Sequence, residues 1–583
     1  MRIAPRLVAV LASAVLATGG LTLSPMAAHA STGTTQVTVF LKAPRPSALA
    51  ALAQASGLSQ PQRMARLSGL VPSAATHAGV ADALAAAGLR VVRQTSWSIT
   101  AAGTPSTITG LFGSHPGLPS GLTAATASLQ QLQAAQAPLP KVPAALQGVV
   151  SAAMPTLTAF RPFHSAALTT GADYRKAYAD PSTPATDGTA GGLTVATLQL
   201  SGWNPSDLST YAHAHGLPDP ISSGAFTQVP VDGGATDSSG AIEADLDQES
   251  ILSTAPGLDQ QVYVAPNSEA GFEDGYAAVL DDVTGNKYAT HPNPHIAAMS
   301  VSWGGCEGQT GAKNIATFEP ILQSLVAAGV TIFGAAGDSG IFDCRTLSLP
   351  APLGGLTQSL PDVVPDVDYP ASSPSVVSVG GTALSPVGAA ASNDGHNWTE
   401  SAWSCTDPTS CETQSGGTGG GISGSAYDPL NLANGGGFAG FPAPAWQRDY
   451  VKDAPFAGQS KRMVPDIAAV AAPGSGFSVY TSDPAYGPGN VQVGGTSLAS
   501  PVSAALLTSM LASHGRTTGV GDIHPGLYRA YAAGVGVRDI TSGTNGNDLM
   551  KGSDPSTSAA RGFDTVSGIG AVLWPAMAPY LIK

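Results

Sequence analysis

Gly494-Gly495-Thr496-Ser497-Leu498-Ala499-Ser500-Pro501 runs directly into the largely apolar stretch Val502 to Leu511. Small residues that turn the chain, followed by apolar helix formers, put Ser497 in the first turn of a buried helix. Backbone N–H groups and the helix dipole there favour developing negative charge. A hydroxyl so placed is either a plain N-cap or a nucleophile with part of an oxyanion site already built. Upstream, Thr331-Ile-Phe-Gly-Ala-Ala-Gly337-Asp338-Ser339-Gly340 joins a β-branched, apolar run to small turn residues, as at the carboxyl end of a buried strand. Sites in open α/β sheets gather at such ends. Other buried-strand candidates are Leu193 to Leu198, Gln261 to Ala265, Ile296 to Val301, Val330 to Phe333 and Val376 to Val379. Helical stretches such as Ser206 to His215 and Ile315 to Ala328 intervene, so a parallel α/β sheet with flanking helices follows.

The serine needs a base, and the histidines do not offer one in a familiar setting. His215 and His514 are followed by Gly-Leu and Gly-Arg, and no histidine precedes Gly-Thr, as a subtilisin would require. A carboxylate is the alternative. Glu243 and Asp247 are four residues apart in the helical stretch Ala241 to Leu252. They share one helix face and would repel if both were ionised, so they are expected to share a proton. Asp245 and Glu249 read as the solvated face of the same helix. Asp338 is a turn residue on its own, and it can donate a hydrogen bond only when protonated.

Taken in order, these segments resemble the sedolisin family of serine-carboxyl peptidases, whose Glu-x-x-Leu-Asp motif matches Glu243 to Asp247 and whose Gly-Asp matches Gly337-Asp338. Further matching segments are Ser300-Val-Ser-Trp303-Gly304 with Glu307, Tyr369-Pro-Ala-Ser-Ser-Pro374, Val379-Gly-Gly-Thr382, Gly435-Gly-Gly437 with Phe441 and Trp446-Gln447, and Arg462-Met-Val-Pro-Asp466. One departure is Ala472, where relatives often carry Asp. The resemblance implies a subtilisin-like parallel sheet with flanking helices, preceded by a small α+β, ferredoxin-like prodomain. It also implies a mechanism in which Ser497 attacks a peptide carbonyl, Glu243 is the general base, Asp247 assists it, and Asp338 binds the oxyanion with the Ser497 N–H. A carboxylate base near pH 4 and a protonated donor mean activity in acid. Endopeptidase and tripeptidyl-peptidase action both occur in the family. An inactive binding relative and an esterase using the same groups are the other classes open to this sequence; Trp303 and Gly304 border the cleft by the same analogy, or are simply a packed strand end.

Near the C-terminus, Arg538-Asp539-Ile540-Thr-Ser-Gly543 and Ala560-Arg-Gly562-Phe-Asp564 resemble the sedolisin calcium site. The resemblance gives one Ca2+ held by carboxylates of Asp539 and Asp564 and carbonyls of Ile540, Ala560 and Gly562, the oxygen donors a hard cation takes. Ala560 stands where the family usually has Gly, so its backbone angles must be ones that Ala adopts. Gly543 to Leu549 looks like a single calcium-repeat unit, and one copy alone reads as a turn.

Charge divides the 583 residues. Residues 31–165 hold eight Lys or Arg against Asp82 alone, and residues 166–583 hold 15 basic against 38 acidic side chains. Such an acidic part repels phosphates, so nucleic acid is not an expected partner. The first 30 residues carry Arg2, Arg6, an apolar run from Leu7 to Ala17 and Ala28-His29-Ala30, the pattern of a cleaved export signal. No later run is long enough for a membrane span. The expected organisation is a signal peptide (1–30), a prodomain (31–113), a linker and processing region (114–170) and a catalytic domain (171–583), forming a secreted, extracellular monomer. The prodomain pattern is strand Gln36 to Leu41, helices Ser47 to Ala55 and Val80 to Ala87, strands Leu89 to Arg93 and Ser96 to Thr100, and helix Thr104 to Phe112. By resemblance it is an intramolecular inhibitor of an enzyme acting on polypeptides, and protonation of catalytic-domain carboxylates in acid is expected to loosen it. Four cysteines suit an oxidising compartment; Cys306 with Cys344 and Cys405 with Cys411 are the expected pairs, among three possible connectivities.

Overall fold

A computed structural model describes residues 35–104, 107–108, 126–131, 159–160, 170–179, 191–341, 346–348, 357–359, 365–387, 397–404, 416–424, 438–452, 454–546 and 557–582. The export signal, most of the linker, most of the Thr104 to Phe112 helix, Gly435 to Gly437, Asp548, Cys344, Cys405 and Cys411 lie outside the described residues. Both expected disulfide pairs therefore involve residues outside them; Cys306, which is described, is not a free thiol.

Ten strands form the central sheet: β1 (Thr194–Gln199), β2 (Phe226–Pro230), β3 (Asp259–Val264), β4 (Ile296–Val301), β5 (Thr331–Ala335), β6 (Val376–Pro386), β7 (Trp398–Ala402), β8 (Ile467–Val470), β9 (Val537–Arg538) and β10 (Ala571–Val572). Their order is β9-β10-β8-β6-β5-β4-β1-β3-β2, with β7 beside β6. From β10 to β2 every neighbouring pair is parallel, and β7 and β9 run antiparallel to their neighbours. The strands β1, β4 and β8 are buried along their whole length, as a parallel sheet covered on both faces requires. Alternation sends Phe333 to one apolar cluster and Ile332 to the other.

Four helices matter for the site: α1 (Ala241–Thr254), α2 (Glu269–Thr284), α3 (Glu307–Ala327) and α4 (Thr496–Ser513). α1 and α4 lie with Phe333 in one cluster; α2 and α3 lie with Ile332 in the other. α3 is longer than the Ile315 to Ala328 stretch legible in sequence, because two helical pieces meet at Gly311, whose φ of 77° is left-handed. The strand order reverses beside β1, which has β3 on one side and β4 on the other. The carboxyl ends of β1 and β4 thus form the crevice where open α/β sheets place ligands.

Residues 35–131 contribute a separate four-stranded sheet, with strands Arg90–Gln94, Ser98–Gly103, Thr35–Leu41 and Thr126–Gln131 in that order. Its neighbours are antiparallel, and it has its own small core of Val37, Val39, Val80, Leu84 and Ile99. One helix was not anticipated: Gln60–Leu67, started by Ser59, whose N–H reaches Gln62 Oε1 at 2.9 Å. That Ser-x-x-Gln spacing is a capping-box signal readable in the sequence. Leu49, Leu52, Leu67 and Trp97 of this unit join the apolar cluster of α2 and α3. Arg93 bonds Asp232 and, at 3.4 Å, Asp274; Ser98 Oγ also bonds Asp274. Among the described residues no helix is long and apolar enough to cross a membrane.

Candidate active site

The turn before Ser497 works only with glycine. Gly495 has φ 98°, and a Cβ on Gly494 would lie 2.3 Å from the Ala471 carbonyl oxygen. Thr496 then begins α4, so Ser497 sits in its first turn, where N–H groups have no intrahelical acceptor. Asp338, three residues beyond β5, ties down this helix start. Its Oδ1 accepts the Thr496 N–H at 2.7 Å and the Thr496 hydroxyl at 2.8 Å. Its Oδ2 is buried with no hydrogen-bond partner. Burial pushes the Asp338 carboxyl up to about 7, against the pull of the two Thr496 bonds. A carboxyl with one oxygen fully accepting and the other bare has its proton on the bare oxygen, Oδ2.

Glu243 lies in the first turn of α1 and is wholly buried. Burial raises its pKa well above the ordinary value, and Asp247 raises it further. The hydroxyl of Ser497 stands near enough to favour the charged form, and Asp338 is within electrostatic reach. Neither Glu243 oxygen nor Ser497 Oγ meets hydrogen-bond geometry with any partner. Asp247, one turn along α1, is held on both oxygens: Ser302 Oγ lies 2.8 Å from Oδ1, and Gln199 Nε2 donates to Oδ2 at 2.7 Å. Burial pushes Asp247 up to about 7, and these two bonds hold it from rising further. Two neutral donors favour the charge on Asp247, so the proton shared by the pair resides mainly on Glu243.

The structure brings together the four residues singled out in sequence, Ser497, Glu243, Asp247 and Asp338. Gln199, which ends β1, and Ser302, which follows β4, complete the set from the crevice between those strands. Trp303 is buried, and its Nε1–H donates to Gln199 Oε1 at 3.0 Å, so it packs as a strand end and also anchors the amide that holds Asp247. Gln199 carried no sequence signal beyond its place at the end of a buried strand. The reading of Asp245 and Glu249 as a solvated face is corrected: both are wholly buried, because α1 is covered on its far side by strand Phe477–Thr481 and helix Ser206–His215.

Of the anticipated cation ligands, Ala560 N–H donates to Asp564 Oδ2 at 2.8 Å and Gly562 N–H to Asp539 Oδ2 at 3.0 Å. Both carboxylates thus lie against the loop that carries the carbonyls of Ala560 and Gly562. Asp564 is buried and pushed up to about 6 by burial, although the Ala560, Ser567 and Val566 N–H groups bond it. Ala560 is not among the residues with positive φ, so Ala is tolerated there. No group of three or more His, Cys, Asp or Glu side chains that could hold a metal occurs among the described residues. Two carboxylates with three backbone carbonyls are a different donor set, the oxygen chemistry that a hard cation takes.

No family model matches the chain. Kumamolisin from Bacillus sp. is 31% identical over 389 residues, 65% of this chain and 58% of that protein. This chain is thus a homologue of kumamolisin. Sedolisin from Pseudomonas sp. is 28% identical over 365 residues, 61% of this chain and 53% of its own length. The chain therefore spans little more than half the length of these curated relatives. The solved Pseudomonas sedolisin, a serine-carboxyl proteinase complexed with two molecules of pseudo-iodotyrostatin, superposes with a TM-score of 0.53 at 24% identity. That match covers 71% of this chain and 98% of that one. The likeness places this sedolisin homologue in the subtilisin-like α/β fold.

Proposed function

We propose that the chain is a secreted, acid-active serine-carboxyl endopeptidase that cleaves polypeptides and is made as an inhibited precursor. The observation that carries this reading is the burial of Ser497 Oγ, both Glu243 oxygens and Asp338 Oδ2 without hydrogen-bond partners, at the crevice where β1 and β4 end. Buried polar atoms left unpaired in one place mark where a ligand completes the bonding.

In the proposed mechanism the shared proton passes to Asp247, which frees Glu243 to accept the Ser497 proton as Oγ attacks the peptide carbonyl and then to deliver it to the leaving amine. Asp247, fixed by Ser302 and Gln199, takes part of the charge lost or gained by Glu243. Protonated Asp338 and the Ser497 N–H donate to the oxyanion. The acyl-enzyme is then hydrolysed by water through the same base.

In this reading residues 1–30 direct export, 31–113 form the prodomain, 114–170 the linker and processing region, and 171–583 the peptidase. The apolar and ionic contacts of Leu49, Trp97 and Arg93 support a prodomain docked on the peptidase. Asp539, Asp564 and the carbonyls of Ile540, Ala560 and Gly562 hold one Ca2+, which supplies charge balance to a loop rather than chemistry to the reaction.

The test is cleavage of a denatured protein by the full-length chain across pH 2 to 8, beside Ser497→Ala and Glu243→Gln, with N-terminal sequencing of processed products. Acid-limited cleavage absent from both variants is the expected result. Equal behaviour of all three chains, or a maximum above pH 7, would overturn the reading.

A further inference from the structure

α1 carries a second carboxyl pair. Asp245 and Glu249 are also four residues apart, but two positions along from Glu243 and Asp247, which turns them to the far side of the helix. Glu249 Oε2 accepts the Tyr480 N–H at 2.8 Å; its Oε1 and both Asp245 oxygens are buried without hydrogen-bond partners. The Thr481 hydroxyl stands near enough to favour charge on Asp245.

The charged groups on the elements around this pair offer it no cation. Helix Ser206–His215 supplies Asp207, whose Oδ2 accepts Ser482 N–H at 2.7 Å, and Tyr211. Asp483 follows strand Phe477–Thr481, which supplies Tyr480. Both Asp207 and Asp483 act on Asp245 as like charges. Of the basic groups, Arg175 of helix Gly171–Ala177 donates to the carbonyls of Ser253 and Thr254, and Lys176 faces Asp173. His213 faces Asp219, and His215 lies against the Tyr211 ring. β1 and α4 carry no charged side chain.

We propose that Asp245 and Glu249 form a proton-dependent lock: protonated, they let strand Phe477–Thr481 pack on α1, and once ionised they force that strand off. Two buried carboxyls with no cation beside them cannot both ionise in place, so the packing persists only while the pair is neutral. Strand Phe477–Thr481 pairs with Gly489–Val493, and Gly494-Gly495 leads from there directly into α4. Opening the lock thus disturbs the helix bearing Glu243 and the turn bearing Ser497 together. Above the acid range the scaffold fails, separately from any titration of the catalytic groups.

The direction follows from linkage. Burial pushes Asp245 up to about 8 and raises Glu249 well above its ordinary value. Carboxyls raised in the fold contribute stability that is complete below the unfolded value of about 4 and is lost as pH rises through the folded value.

The full-length Ser497→Ala chain is the reference, so the readout needs no peptidase activity and is independent of the proposed reaction. Its melting temperature is followed from pH 4 to 9 beside a chain that also carries Asp245→Asn and Glu249→Gln. The expected result is a fall in the reference whose midpoint moves up by about one pH unit or more in the amide chain. Hydrogen exchange on the reference is expected to lose protection first in residues 241–254 and 477–493. Parallel melting profiles in the two chains would overturn the proposal. If the amide chain does not fold, exchange decides: protection in 241–254 and 477–493 that outlasts the rest of the protein overturns it equally.

Discussion

Pro501 stands four residues after Ser497 in α4, so the Ser497 carbonyl meets a residue with no N–H to give it. The Ser302 hydroxyl lies 3.2 Å from that carbonyl oxygen and 2.8 Å from Asp247 Oδ1. It has one proton for two acceptors. With Asp247 ionised, Ser302 donates to it; with Asp247 protonated, the carboxyl donates to Ser302, which then donates to the Ser497 carbonyl. The state of the carboxyl pair is thereby felt at the backbone of the nucleophile.

Replacing Ser302 by Ala removes a bond that favours ionised Asp247. Hydrogen bonds to charged groups contribute about 1.5–3 kcal/mol, which corresponds to about one to two pH units. Asp247 is then protonated at higher pH, so the acid limb of kcat/KM moves up by that amount. A pH profile of Ser302→Ala with an unmoved acid limb would separate Ser302 from the carboxyl pair.

Asp338 gives the opposite limb. Its donor proton is present below about 7 and lost above it. Asparagine matches the local bonding: its carbonyl oxygen can accept the Thr496 N–H and hydroxyl, and its amide nitrogen takes the place of Oδ2 as a donor at every pH. Asp338→Asn is therefore expected to keep measurable peptidase activity while its alkaline limb disappears or moves upward. Asp338→Ala, without a donor, should lose roughly 10²–10³-fold in kcat. An alkaline limb unchanged in Asp338→Asn would place its cause elsewhere.

Much of this site was legible in the sequence because each group sits in a local pattern. The glycine pair before Ser497, the four-residue spacing of Glu243 and Asp247, and the strand-to-turn change before Asp338 are all short-range signals. Gln199 and Ser302 come together only through the parallel pairing of β1 with β4, which depends on strand order and not on spacing. Asp245 and Glu249 failed for a related reason. An acidic residue two positions from a buried one looks solvated on an isolated helix, and nothing local announces that strand Phe477–Thr481, more than 200 residues later, covers that side.

Arg93 of the N-terminal unit contacts two acids outside it, Asp232 and Asp274. Asp274 is raised to about 8, first by burial and then by Asp232, against the pull of Arg93. Arg93 and the Ser98 hydroxyl, the two groups that the N-terminal unit brings to Asp274, both favour its charged form. Asp232 makes the closer of the two Arg93 ion pairs, so removing its charge costs the contact most. Asp232 is the residue with a left-handed backbone, φ 52°, which Asn also tolerates. Asp232→Asn is expected to loosen the N-terminal unit at pH 7, and Asp274→Asn to loosen it less. Protease sensitivity of residues 35–104 in the Ser497→Ala background reads both; equal loosening by the two variants would refute the assignment.

Calcium gives the last test. Asp564 is buried and raised to about 6 by burial, so its ionised form lacks compensation that a divalent cation would provide. At a free concentration about 100-fold above Kd, an ion bound only to the folded state adds about 2.7 kcal/mol. At about 2.1 cal/mol/K of unfolding entropy per residue, a domain of roughly 400 residues shifts by about 1 °C per kcal/mol, so chelation by EDTA should lower Tm by about 3 °C, with calcium restoring it. Asp564→Asn should melt lower and lose most of its response to EDTA, whereas Asp245→Asn should keep the response. Because the ion requires the ionised carboxylate, its effect should shrink as pH falls. Identical melting with and without EDTA at pH 7 would remove calcium from this loop.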